Sequence, residues 1–349
     1  MKQISFSAVR WHGRTFDREG VRYANHTCGG FSLRFTGKKL TAEVRSTAAQ
    51  PPEDYACFLL LTVGGRERVF ALSEGHQTLT LLEEAEPVTA EISLIKRTEQ
   101  QYATFGVAAL QADDDAVIEK TPEPSRRLLF IGDSITCGYG IGGAPEDPFM
   151  TEQEWGDLAF AARTARALNA GAQFVSRSGV GVWSSYTPDP DRRNTDPLIT
   201  DLIPWTDRVG CQRLGAEQIP WNPDSFRPDG IVINLGTNDT TYTSGNELHR
   251  AEFAAAYERL LAGLRRDYPG AVIVCALGGI PQEEQDRLFE QIAGAVKKRR
   301  AAGDLAVYAL RFPDPDAAES TGAAGHPSMK TQIRMAGELT EFLKGCLNW

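Results

Sequence analysis

Ser134 stands at the end of an apolar run, Phe130-Ile131, in the turn Gly132-Asp133-Ser134, and glycines follow at 138 and 140. A serine at the mouth of a buried strand, in a turn that glycine can tighten, is held where a substrate carbonyl can reach it. Its hydroxyl is a poor nucleophile at neutral pH. It needs a base within hydrogen-bond reach and donors for the oxyanion formed on attack. From residue 127 onward there are only two histidines, His249 and His326. His249 opens an amphipathic pattern in Glu247-Leu248-His249-Arg250 and reads as a solvated surface residue. His326 lies in Gly325-His326-Pro327-Ser328, between the last strand pattern and the last helix pattern, and is favoured as the base. Oxyanion donors are available from the Ser134 backbone N–H, the Asn238 amide in Gly236-Thr237-Asn238-Asp239, and a glycine N–H in Ser178-Gly179-Val180-Gly181. Each has a plainer reading when taken singly: a serine after a strand is commonly a helix N-cap, and Asn-Asp is commonly a turn. Their combination points to acyl transfer.

The elements that must position these residues follow from periodicity. From Ser5 to about Lys120 short β-rich segments alternate with turn signals, among them 31–35, 40–44, 56–63, 68–72, 77–82, 88–95 and 104–110, which is the spacing of an all-β sandwich, here a jelly roll of about eight strands. After Thr121-Pro122-Glu123-Pro124-Ser125-Arg126-Arg127 the rhythm changes. Short apolar runs at 128–131, 173–176, 230–235, 271–277 and 305–310 alternate with helix patterns at 154–168, 247–267, 283–300 and 329–347, the signature of a parallel sheet covered on both faces. The expected organisation is a β-sandwich domain over 1–120 and a three-layer α/β domain over 127–349. The Pro- and Asp-rich stretch 183–227 leaves the second strand where α/β proteins build ligand sites. Its tryptophans, Trp183, Trp205 and Trp221, are candidate substrate contacts, the plainer reading being packing of an irregular excursion.

The formal charge of −9 argues against nucleic acid or an anionic membrane as partner, since both require a basic surface. No stretch reaches the roughly 20 apolar residues of a spanning helix and the first residues are not a signal peptide, so a cytoplasmic protein is expected. The six cysteines form no C-x-x-C pair and no carboxylates sit at ligand spacing beside a histidine, so neither a disulfide framework nor a metal is expected. The chemistry requires no cofactor.

The blocks Gly132-Asp133-Ser134, Gly179-Val180-Gly181, Gly236-x-Asn238-Asp239 and His326-Pro327 resemble, in order, those of the SGNH (GDSL-type) hydrolases, which have a flavodoxin-like α/β fold. The longer run Ile131 to Gly140, the block Asn234 to Asp239 and an N-terminal β domain resemble more narrowly carbohydrate esterase family two. Members of that family carry a jelly roll before the hydrolase domain and remove acetyl groups from plant polysaccharides. The resemblance implies Ser134 as nucleophile and His326 as general base. It further implies an oxyanion hole of the Ser134 N–H, a glycine N–H (Gly181 preferred, Gly179 second) and Asn238. The implied substrate is an acetylated xylan- or mannan-derived oligosaccharide; an esterase, lipase or acyltransferase acting on another acyl ester and an inert carbohydrate-binding protein are the alternatives. An oligomer is compatible with all of these.

The chain departs from the pattern beside the histidine. The family places an Asp two or three residues before it, where this chain has Ala324 and Ala323, and an aromatic residue just before it, where this chain has Gly325. Asp314 or Asp316 could substitute only if the loop folds back. The other arrangement, also implied by the resemblance, is a Ser-His dyad in which a backbone carbonyl accepts the second imidazole proton.

Overall fold

The computed structural model describes residues 1–47, 55–316, 319 and 321–349. They form two compact units: Met1–Pro124 with the short segments Met150–Glu154 and Thr206–Ile219, and Ser125–Phe149, Trp155–Trp205 and Pro220–Trp349.

The first unit is an antiparallel sheet running Phe16–Arg18, Val21–Tyr23, Gly106–Ala112, Gly30–Ser46, Gly75–Lys96, Cys57–Val63, Arg66–Leu72, with three shorter strands alongside. Several segments that read as separate strands are halves of two long ones. Gly37-Lys38-Lys39 looks like a turn but is an irregularity in the pairing of Gly30–Ser46 with Gly75–Lys96. The backbone N–H groups of Lys38 and Lys39 donate to Asp113 Oδ1 at 3.0 and 2.8 Å there. Phe31, Leu33 and Phe35 are buried before the irregularity, and Leu40, Ala42 and Val44 after it. A change of parity along one strand keeps the same face in the core while the sheet bends. The segment Thr206–Ile219 is tied in by buried polar groups. Asn25 Nδ2 donates to Asp207 Oδ2 at 2.6 Å, and His26 Nε2 meets the Thr206 carbonyl at 2.8 Å.

The second unit holds five parallel strands, β1 (Arg126–Gly132), β2 (Ala170–Ser176), β3 (Gly230–Asn234), β4 (Val272–Leu277) and β5 (Val307–Arg311), in the order β2-β1-β3-β4-β5. All but one residue of β4 and all of β3 are buried, as apolar strands with helices on both faces must be. Helix α1 (Phe160–Ala167) packs with α4 (Met329–Leu347), and α2 (Glu247–Asp267) with α3 (Gln285–Ala301). Helix α1 begins later than the 154–168 pattern predicts, because Thr151–Gln153 and Gly156–Leu158 are single 3₁₀ turns. Side-chain caps set the starts of two others: Asn246 accepts from His249 N at 3.1 Å, and Ser328 Oγ from Thr331 N at 3.4 Å. Among the described residues no helix is long and apolar enough to cross a membrane.

Candidate active site

Ser134 follows β1, the central partner of β2 and β3, so residues leaving those strands flank it on both sides. The Asp133 side chain caps the short helix Ser134–Cys137 by accepting from Ile135 N at 3.0 Å, and Gly138 closes it in the left-handed conformation at φ 79°. A Cβ on Gly132 would lie 2.0 Å from Thr136 Oγ1, so the turn accepts only glycine at that position. The serine is held rigidly from both ends.

His326 reaches it from the loop after β5, with Nε2 2.8 Å from Ser134 Oγ. Nδ1 lies 3.2 Å from the Ala324 carbonyl. With Nδ1–H donating to that carbonyl, Nε2 carries the lone pair and accepts the serine hydroxyl proton. Ala324 adopts the left-handed conformation (φ 52°, ψ 35°), which costs a residue with a Cβ about 1–2 kcal/mol and turns its carbonyl back toward the ring. Neither aspartate folds back: Asp314 pairs with Arg311 at 2.9 Å, and Asp316 caps Glu319 N at 3.1 Å. The loop is held instead by backbone bonds to the stretch after Ser134, Ala323 N to Gly140 O at 2.9 Å and Ala324 N to Asp147 O at 3.2 Å. Burial pulls the imidazole down to about 4, opposed by hydrogen bonds to the Ala324 and Ala323 backbone, so at neutral pH it is the free base.

On one side of Ser134, Asn238 Nδ2 donates to Val180 O at 2.9 Å and points its other N–H toward Asp133 Oδ2 at 3.4 Å. On the other side the two glycines separate. Gly181 N–H donates to Ser185 Oγ at 3.2 Å, and a Cβ there would strike Ser184 O at 1.9 Å, so this glycine serves the packing of its own loop. A Cβ on Gly179 (φ 80°) would meet only Tyr186 Cβ, at 4.0 Å, and the Gly179 N–H makes no hydrogen bond among the described residues, nor does that of Ser134. Of the two glycines, Gly179 and not Gly181 is the one whose N–H is unengaged among the described residues.

Asp239, which the sequence presents as the second half of a turn, is the residue that builds the loop. Its buried carboxylate accepts three backbone N–H groups, Val182 at 3.0 Å, Trp183 at 2.7 Å and Ser184 at 2.9 Å. Desolvation pushes its carboxyl up to about 6 against those three bonds, which favour the anion.

Of the three tryptophans, Trp183 lies in the loop that Asp239 holds. Its indole is covered by the Arg193 guanidinium, 3.1 Å from the ring centroid, and Arg193 Nε donates to its carbonyl at 2.6 Å. Trp221 Nε1 donates to Tyr268 OH at 3.0 Å, and Trp205 bridges Pro220. Tyr268 precedes β4, at the edge of the sheet opposite Ser134. The chain must travel from the exit of β2 to the entrance of β3, so the far part of the 183–227 excursion ends at the wrong edge for substrate contact. An aromatic that sequence reasoning did not single out is better placed: Tyr186, 54% exposed, donates its N–H to Gly179 O at 2.8 Å. Arg192, Asn194 and Asp196 join it around an open cavity of about 390 Å³.

A serine, a histidine and an amide donor at the C-terminal edge of a 2-1-3-4-5 parallel sheet form an arrangement suited to acyl transfer. The GDSL-like Lipase/Acylhydrolase family model matches residues 130–332, and the chain belongs to that family. It is 33% identical over 284 residues to the cellulase/esterase CelE of Acetivibrio thermocellus, a match covering 80% of this chain and 31% of CelE, so the chain spans about a third of that relative's length. An acetylxylan esterase / glucomannan deacetylase of Cellvibrio japonicus is 24% identical over 326 residues, covering 90% of this chain and 81% of the relative. A family two carbohydrate esterase from Clostridium thermocellum, solved in complex with cellohexaose, superposes with a TM-score of 0.85 at 28% identity, covering 98% of this chain and 99% of that one.

Proposed function

We propose that the chain is a serine esterase that removes O-acetyl groups from plant-type oligosaccharides. The observation that carries this reading is the 2.8 Å contact between His326 Nε2 and Ser134 Oγ, in a site where the Ser134 and Gly179 N–H groups are unengaged among the described residues. Ser134 Oγ attacks the acetyl carbonyl while its proton passes to His326 Nε2. The oxyanion is received by the N–H groups of Ser134 and Gly179 and by the Asn238 amide. The imidazolium then protonates the departing sugar hydroxyl, leaving an acetyl-enzyme. Water, deprotonated by the same nitrogen, releases acetate and restores the serine. The Ala324 carbonyl holds the tautomer throughout, the task a carboxylate performs in a triad.

The substrate class is supported by the names of the relatives, an acetylxylan esterase / glucomannan deacetylase and a carbohydrate esterase crystallised with cellohexaose. It is also supported by the exposed Tyr186 ring beside Gly179, a surface suited to the apolar face of a sugar. Acetate release from acetylated xylo- and manno-oligosaccharides tests it, alongside 4-nitrophenyl acetate and butyrate. Release from the sugars with a steep fall from acetate to butyrate is expected. A folded protein that prefers butyrate, or leaves every acetylated sugar intact, contradicts it.

A further inference from the structure

The base of this site works without a carboxylate, and a different group faces it. Tyr139, five residues after the nucleophile, stacks on Phe149 with ring centroids 3.4 Å apart and planes within 12°. Its centroid is also 4.2 Å from that of the His326 imidazole, tilted by 40°. A ring face covered at 3.4 Å has no room for a second ring, so the imidazole lies over the other face. We propose that Tyr139 is a positioning residue that sets the tilt of His326 and stabilises the imidazolium formed during acyl transfer, a part of the work that an aspartate does in a triad.

The electrostatics at His326 favour this assignment. Among the described residues the carboxylates of the surrounding elements are engaged elsewhere: Asp133 with Ile135 N, Asp147 with Ala144 N at 2.8 Å, Asp314 with Arg311, and Glu319 with Arg334 at 2.8 Å. Glu146 is exposed and Asp316 caps a turn. Among the described residues the His326 ring meets Ser134 Oγ and the backbone of Ala324 and Ala323, with no carboxylate among these partners. Burial disfavours the cationic ring, and the negative face of an aromatic within 6 Å of a cation offsets part of that cost. Phe149, 8% exposed, backs the tyrosine so that it cannot swing away.

This inference rests on the esterase reading for its consequence in catalysis but not for its physical core, and the experiment separates the two. In the full chain, residue 139 is replaced by phenylalanine and by phenylalanines of increasing ring fluorination, which keep the shape and progressively cancel the negative face. The titration of His326 is followed by NMR of ¹³C-labelled imidazole, and kcat is measured with 4-nitrophenyl acetate. The expected result is a titration like that of wild type in Tyr139→Phe and a stepwise fall with fluorination, reaching about half a pH unit or more. The kcat should fall in parallel by several-fold, with KM nearly constant. Tyr139→Leu should match the most fluorinated variant. A titration midpoint indifferent to fluorination overturns the proposal, whatever happens to kcat. A shifting midpoint in a protein that hydrolyses no ester supports the ring contact and removes the esterase reading instead.

Discussion

The nucleophile turn and the histidine loop reach the same hydrogen bond by different means. Around Ser134 the fixing groups are side chains and glycines within a few residues: the Asp133 cap, Thr136 over Gly132, and the left-handed Gly138. Around His326 they are backbone carbonyls and N–H groups supplied by Gly140, Asp147 and a left-handed alanine. A turn written in side chains leaves a motif, whereas a loop written in backbone bonds leaves almost none. The histidine loop should therefore be the more easily disturbed of the two.

The sharpest way to break the second half of the site is Gly140→Ala. A Cβ there would sit 2.6 Å from Ala323 O and 3.2 Å from His326 Cβ, on a residue with φ 75°. The loop must shift, and a displacement near 1 Å at the base should lower kcat about 10²-fold. The far-ultraviolet circular dichroism should be unchanged. A kcat within twofold of wild type would show that the backbone ties to Gly140 do not place the histidine.

Asp239→Ala tests the wall on the Gly179 side. It deprives two buried and one half-buried N–H group of their acceptor and should lower stability by about 2–4 kcal/mol in urea unfolding. It should also reduce kcat by disordering the Gly179–Ser185 segment. An unchanged urea midpoint would mean that the loop stands without its carboxylate.

The pH dependence separates the base from an ordinary histidine. With His326 held near 4, the free-base form persists well below neutrality, so the acid limb of kcat/KM is expected near pH 4 instead of 6.5. Stability runs the other way. A histidine whose folded pKa is depressed takes up its proton first in the unfolded chain, so stability is full above about 6.5 and is lost as pH falls toward 4. His12, pulled down to about 3, and the buried His26 act in the same sense. The buried Asp239, pushed up to about 6, and Glu154, raised by burial, take up their protons first in the folded chain and act in the opposite sense. The histidine part is therefore read as the stability of wild type minus that of His326→Gln, which should fall between pH 7 and 4; a difference that stays flat or rises over that range would contradict a desolvated His326.

The smallest effect sharpens the comparison most finely. Ala324→Gly keeps the carbonyl on Nδ1 and removes the cost of a Cβ in the left-handed region, partly offset by the entropy of glycine. Melting should change by only a degree or two and kcat by less than twofold. Ala324→Val, which cannot take that conformation cheaply, should reduce both. If valine is tolerated as well as glycine, the carbonyl is not what orients the imidazole.

Much of the second unit was legible. Short apolar runs gave the five strands to within three residues, and α2 and α4 follow their amphipathic patterns between capping residues. The pairing of Ser134 with His326 was legible because scarcity did the sorting: two histidines, one of them at the right edge of the sheet. What escaped was what depends on partners distant in sequence. Asp239 looks like any turn aspartate until residues 182–184 fold onto it. Whether Gly179 or Gly181 offers a free N–H is decided by the Ser185 hydroxyl. The tryptophans announced an irregular segment but not its path, which is set by the need to enter β3 from the other end. In the first unit the misreading was of continuity, since 31–35 and 40–44 read as separate segments but are one strand, kinked where Asp113 holds Lys38 and Lys39.

The most direct test of the account is acetate release from acetylated xylo-oligosaccharides by wild type, Ser134→Ala, His326→Ala and the double variant. Residues that act as one unit lose activity together, so each single variant and the double should fall by about the same factor, on the order of 10³ or more. A His326→Ala enzyme retaining most of the wild-type rate, or a double variant far below either single one, would contradict a Ser134–His326 dyad.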